Sequence, residues 1–177
     1  MAENDATSTS AASSGDGSSP LAASDANGGG WQGRVDFYIL DGTSASGRLK
    51  LACKLAEKAY LAAQTVLVWH TDPAELRAFD EMLWTFNDGS FVPHEALPAA
   101  GSLSESPVQL SSGVALSANV DIVINLAPDL PPFLPRTRRV AEIIDGDDLR
   151  RRAGRARFKA YRELGVQPAS HNIRGDQ

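Results

Sequence analysis

The stretch RVDFYILDGTSASGRLKLACKLAEKAYLAAQTVLVWH, residues 34–70, decides the fold. It opens with a β-branched and aromatic run, RVDFYIL (34–40), the composition of a buried strand. In the segment SASGRLKLACKLAEKAYLAAQ (44–64), Leu49, Ala52, Leu55, Ala56, Ala59 and Ala63 recur every three or four residues, the period of one helix face. TVLVWH (65–70) is a second strand. Strand, helix, strand with no hairpin turn between them predicts two parallel strands joined by a right-handed crossover.

The same alternation continues downstream. DPAELRAFDEMLWTF (72–86) reads as a helix with Asp72 as its N-cap and Pro73 at the first helical position. Strand signals follow at PVQLSS (107–112), DIVINLA (121–127) and RRVAEIID (138–145), and a last helix begins behind Asp147 and Asp148. The expected architecture is an α/β, Rossmann-like three-layer fold: a mainly parallel sheet with helices on both faces. A chain of 177 residues, 42% hydrophobic, supplies one ordinary core and hence a single domain. Residues 1–32 are built from Ser, Ala, Gly, Asp and Asn, with four acidic residues and no Lys or Arg, and read as a disordered tail. Residues 33–177 are then the globular part.

Several classes of function are disfavoured. A lone cysteine, Cys53, cannot form an internal disulfide, and the N-terminus has neither the basic start nor the apolar run of a secretory signal. No apolar run reaches the roughly 18–20 residues that span a bilayer. A cytoplasmic protein with no membrane partner is expected. Gly42 and Gly47 stand at the glycine spacing of a phosphate loop, but Arg48 replaces its Lys and Leu49 its hydroxyl residue. The G-x-G-x-x-G dinucleotide fingerprint is absent, so the turn reads as a polar one with Ser44 or Ser46 capping a helix. His70 ends a strand, His94 follows Pro93 in a loop and His171 lies near the C-terminus, without metal-ligand spacing. Cys53 sits in an apolar helical face as a small hydrophobe, and no serine occupies a G-x-S-x-G elbow. These residues point to a binding protein with no catalytic residue, no cofactor and no metal.

One segment departs from the acidic character of the chain, whose formal net charge is -5. LRRRAGRARFKAYREL (149–164) places seven basic residues in sixteen positions. On a helical wheel Leu149, Ala153, Ala156, Ala160 and Leu164 share the face expected to meet the core. Arg151, Arg155, Lys159 and Arg162 gather opposite, with Phe158 among them, expected to be exposed or half covered. A solvated helix face is one reading. An aromatic inside a basic stripe also suits single-stranded nucleic acid, or an acidic peptide with an apolar end group. The isoelectric point of about 5.1 and the lack of a second aromatic platform favour the peptide over direct, sequence-specific nucleic-acid binding. A second cluster, LWTFNDGSFVPH (83–94), gathers Trp84, Phe86 and Phe91 around an Asn-Asp-Gly turn, either as core or, with Pro93, as a partner surface.

Three blocks carry a family resemblance: VDFYILD (35–41), FDEMLWTFNDGSFVPHEAL (79–97) and RARFKAYRELG (155–165). In order and spacing the globular part resembles the chi subunit of bacterial DNA polymerase III. The resemblance implies a noncatalytic accessory subunit of the clamp-loader complex that binds the acidic C-terminal tail of single-stranded DNA-binding protein. It also implies contact with a psi subunit or with a helicase that competes for the same surface. Carried onto this sequence, the tail site falls on Arg151, Arg155, Phe158 and Lys159, and the psi or helicase surface on Trp84, Phe91 and Pro93. The family more often has Tyr where this chain has Phe158, which keeps the ring and removes a hydroxyl.

Overall fold

The computed structural model describes residues 30–97, 104–116 and 118–174. Seven parallel strands form one sheet: β1 (Arg34–Leu40), β2 (Val66–Trp69), β3 (His94–Ala96), β4 (Val108–Ser111), β5 (Val120–Asn125), β6 (Thr137–Ile144) and β7 (Ala169–Ile173). Their spatial order is β3-β4-β2-β5-β6-β1-β7, and every pairing is parallel. Helices α1 (Ala45–Leu61), α2 (Pro73–Thr85) and α3 (Asp148–Glu163) cover the two faces. The expected three-layer α/β fold is therefore the observed one. No helix among the described residues is long and apolar enough to cross a membrane.

The strand VLVW shows why this fold follows from its residues. Val66 and Val68 enter the core beneath α1 and α2, while Leu67 and Trp69 enter the core on the α3 side, so all four are buried. A parallel strand covered on both faces has no polar side, which explains its unbroken apolar run. On the α3 side Trp69 meets Phe133 edge to face at 5.5 Å, and its indole donates to the carbonyl of Gly113 at 2.8 Å.

Helix ends follow the expected chemistry with one exception. Ser44 Oγ accepts from the amide of Gly47, Asp72 from that of Ala74 and Asp147 from that of Arg150. The exception is the end of α1, expected to run to residue 64. It stops at Leu61, and Ala63 adopts a left-handed backbone with φ 55°. That reversal removes Ala63 from the helical face and leaves it exposed.

Two strands escaped sequence reasoning. His94 opens β3, three residues long, and is not in a loop as expected. β7, which includes His171, pairs with β1 from Asp36↔Ala169 to Leu40↔Ile173 at the sheet edge. Trp31 lies before the expected start of the domain at residue 33. Its indole donates to the carbonyl of Thr137 at 2.8 Å, and its ring lies 6.4 Å from Tyr161. Residues 1–29 of the expected tail lie outside the described residues.

Candidate functional site

Helix α3 is turned about its axis relative to the apolar wheel, by about 100°. Its buried residues are Gly154, Arg157 and Tyr161, whereas Leu149, Ala156 and Leu164 are exposed and Ala153 and Ala160 are half-buried. The expected core face of Leu149, Ala153, Ala156, Ala160 and Leu164 is thus corrected. The cause is Glu142, a fully buried carboxylate on β6. Arg157 Nε donates to its Oε2 at 2.9 Å, while the Tyr161 hydroxyl and Asn125 Nδ2 donate to Oε1 at 2.8 and 2.9 Å. A buried charge without such partners costs several kcal/mol. The three alanine methyl groups offer about 0.8 kcal/mol each when buried, and Leu149 and Leu164 stand at the two ends of the helix, whereas the observed rotation joins Arg157 to the polar network and adds the Tyr161 ring to the core. Burial, followed by the charge of Glu142 beside it, pushes the Tyr161 phenol far above its ordinary value.

The rotation leaves Arg151, Arg155, Lys159 and Arg162 outside, as expected, and brings Phe158 to the border between the basic stripe and the sheet. There Phe158 packs on Phe37 of β1 at 5.2 Å with the rings tilted by 60°. Beside that pair lies a hollow of about 330 Å³, lined by Phe37, Ile39, Ile144 and Ser170 from the sheet and by Arg151, Gly154, Arg155 and Phe158 from α3. Gly154 makes the close approach possible, because a Cβ at this position would run into the side chain of Ile144.

Three of the four expected tail-site residues therefore share one hollow. Arg155 has no hydrogen-bond or ion-pair partner among the described residues, and Arg151 Nε donates only to the carbonyl of Asp145 at 3.2 Å. Lys159 is not in the lining; it is exposed and lies 3.7 Å from Glu163 one turn on. The sheet residues Phe37, Ile39, Ile144 and Ser170 were missed by sequence reasoning. Phe37 and Ile39, two residues apart on β1, lie on one face of the sheet, but nothing in the sequence said that α3 would leave them partly uncovered.

The second expected surface is also open. Trp84 on α2 and Phe91 in the following loop lie 5.6 Å apart and are 57% and 65% exposed, while Pro93 is half-buried. Of the two readings, core or surface, these two rings take the surface and Phe86 packs against the core. Trp84 also lies 4.8 Å from the ring of His94, whose Nε2 is 3.1 Å from Asp80 Oδ1.

A third feature bears on catalysis. At the carboxyl ends of β2, β5 and β6 a cleft of about 250 Å³ is lined by Arg48, His70, Asp72, Glu75, Arg150 and Arg157, among others. Each guanidinium there already has a carboxylate: Arg48 with Glu75 at 3.3 Å, Arg150 with Asp145 at 2.8 Å and Arg157 with Glu142 at 2.7 Å. Burial first, then the neighbouring Arg150, lowers the Arg48 pKa. Burial likewise lowers that of His70, whose Nδ1 accepts the Asp72 amide at 2.8 Å. The cleft is thus a paired network that ties the starts of the helices to the sheet.

Comparison with known proteins adds an independent line. The family model described as DNA polymerase III chi subunit, HolC, matches residues 33–169. A protein named DNA polymerase III subunit chi in Pseudomonas aeruginosa is 36% identical over 140 residues, covering 79% of this chain and 96% of its own. Proteins of the same name in Haemophilus influenzae and Escherichia coli are 27% and 29% identical, covering 78% and 73% of this chain and 96% and 90% of theirs. Among solved structures, that of T4 UvsW resembles this fold with a TM-score of 0.58 at 9% identity, over 80% of this chain and 41% of the other.

Proposed function

From the premise that the chain belongs to the DNA polymerase III chi subunit family, we propose that it is a noncatalytic accessory subunit linking the bacterial clamp-loader complex to single-stranded DNA-binding protein. It acts in the cytoplasm, in support of DNA replication. The link is the acidic C-terminal tail of single-stranded DNA-binding protein, held against α3. The observation that carries this reading is the convergence of Arg151, Arg155 and Phe158 on one hollow whose other walls are mostly apolar. A peptide ending in an apolar residue with a free carboxylate fits both parts of that surface: ring in the hollow, carboxylate at its edge. Arg155, without a competing partner among the described residues, supplies the planar fork for the carboxylate. Arg151 and Lys159 steer acidic residues upstream of it, with a contribution that falls as salt rises.

Trp84, Phe91 and Pro93 form a second contact surface, for a psi subunit or a helicase. Two exposed aromatic rings in mutual contact are the kind of anchor that such interfaces bury.

The test is a calorimetric titration of the full chain with a peptide copying the tail of its own single-stranded DNA-binding protein, beside a version lacking the last residue. Binding of the intact peptide, and loss of binding with the truncated peptide or with Arg155→Ala, is the expected result. Failure of both peptides to bind at low salt would overturn the assignment.

A further inference from the structure

The chain enters the domain beside the same helix. Trp31 is fixed against Thr137 and Tyr161, and the Cβ position of Gly30 faces the carbonyl oxygen of Leu164, just past the end of α3, at 3.3 Å. From Trp31 a run of ring contacts leads to the hollow: Tyr161 lies 6.1 Å from Phe37, and Phe37 lies 5.2 Å from Phe158. The segment upstream of this anchor carries Glu3, Asp5, Asp16 and Asp25 and no Lys or Arg.

Charge and reach both point that segment at α3. Arg151, Arg155 and Arg162 are exposed, and neither Arg155 nor Arg162 has a side-chain partner among the described residues. Four of the chain's 22 acidic residues and none of its 17 basic ones lie in that segment, so the rest of the chain is nearly neutral and this basic stripe is where a tethered acidic segment meets attraction. A 16-residue helix is about 24 Å long at roughly 1.5 Å per residue. Asp16 lies fifteen positions before Trp31, and a chain reaches up to about 3.3 Å per residue, so Asp16 can reach any part of the stripe.

We propose that the acidic segment preceding Trp31 docks on the basic face of α3 and competes there with the incoming acidic peptide, an inference that rests on the reading of α3 as the peptide site. The segment has no aromatic residue before Trp31, so it engages the arginines and leaves the apolar hollow unfilled. A partner that brings both carboxylates and a terminal ring displaces it, whereas an acidic chain without the ring does not. The tether makes the internal contact intramolecular, which offsets its weakness. The segment therefore acts as a selectivity filter that raises the affinity required of a partner.

A spin label on Ser13→Cys in the full chain tests this by paramagnetic broadening. Cys53 is buried and its thiol is pushed up to about 12 by that burial, so the introduced cysteine is the reactive one. The expected result is broadening of the Arg151, Arg155 and Arg162 amides several-fold above that of Leu61 and Glu81. It should vanish at about 0.5 M salt, where screening is nearly complete, and when the tail peptide of single-stranded DNA-binding protein is added. Uniform broadening overturns the proposal, as does an unchanged pattern when Glu3→Gln, Asp5→Asn, Asp16→Asn and Asp25→Asn are combined. If the peptide shifts the signals of the hollow while the label shows no preference, the internal contact falls and the peptide site stands. If the label prefers α3 and the peptide neither binds nor displaces it, competition falls together with the peptide reading.

Discussion

Arg157 on α3 and Glu142 on β6 form an ion pair closed to solvent, with Nη2 2.7 Å from Oε2 and the two side chains 7% and 0% exposed. Arg157 also donates from Nη1 to the carbonyl of Pro128 at 2.7 Å. Breaking a buried pair at one partner leaves an uncompensated charge, a loss of about 3–5 kcal/mol, while replacing both partners with apolar groups is far less damaging. Arg157→Met should therefore lower the denaturation midpoint sharply, and Arg157→Met with Glu142→Gln, which removes the buried charge and keeps an oxygen that accepts from Tyr161 and Asn125, should recover much of it. Equal losses in the single and double variants would refute the account.

Gly154→Ala has opposite expectations in an isolated helix and in this one. Alanine is favoured over glycine by about 1 kcal/mol in an exposed helix interior. Here the new methyl group would meet Ile144, so the substitution should destabilise by about 1–3 kcal/mol and narrow the hollow. Adding Ile144→Val removes the obstructing Cδ1 and should restore stability. Calorimetric melting of the two variants, with peptide titration beside it, checks both effects.

Ala63 occupies the left-handed region at φ 55°, where a side chain is disfavoured by roughly 1–2 kcal/mol and glycine is not. Ala63 is exposed, so its methyl group contributes little packing. Ala63→Gly should raise the stability of the fold by about 0.5–1 kcal/mol after the entropy of the freer unfolded chain is subtracted. A lower melting temperature would contradict this.

Asp121 links β2 to β5 by accepting from both the amide and the hydroxyl of Thr65, each at 3.0 Å. The backbone hydrogen bond from Thr65 is the main cause that holds its carboxyl below the usual range. Because the folded-state value is the lower one, this stabilisation is complete above the unfolded carboxylate value of about 3.9 and is lost as pH falls through the folded value. Asp121→Asn should cost about 0.5–1.5 kcal/mol at neutral pH. Denaturant curves should show the difference shrinking below pH of about 4.

Much of the architecture was readable from local pattern. The segment 34–70 carries strand and helix periods that need no tertiary information, and Ser44, Asp72 and Asp147 cap the helices that follow them. The edge strands were not readable. HEA at 94–96 is too short to show a period, and ASHNI at 169–173 is mostly polar, so β7 exists through its pairing with β1. The site divides in the same way. Arg151, Arg155 and Phe158 stand out by charge and aromatic character alone, whereas Phe37, Ile39, Ile144 and Ser170 join them only because α3 lies across the sheet at that place.

The sequence by itself determined the three helices, the five inner strands and their order along the chain, because hydrophobic period and capping are properties of neighbouring residues. It also determined the basic stripe on α3, since charge does not depend on packing. Only the tertiary structure decided which side of that helix faces inward. Alanine periodicity indicated one face, but a single buried carboxylate, 15 residues from Arg157 and 19 from Tyr161 along the chain, selected another. A charge taken out of water demands its partners more strongly than small methyl groups demand burial, and that demand is visible only once the strand carrying Glu142 is in place.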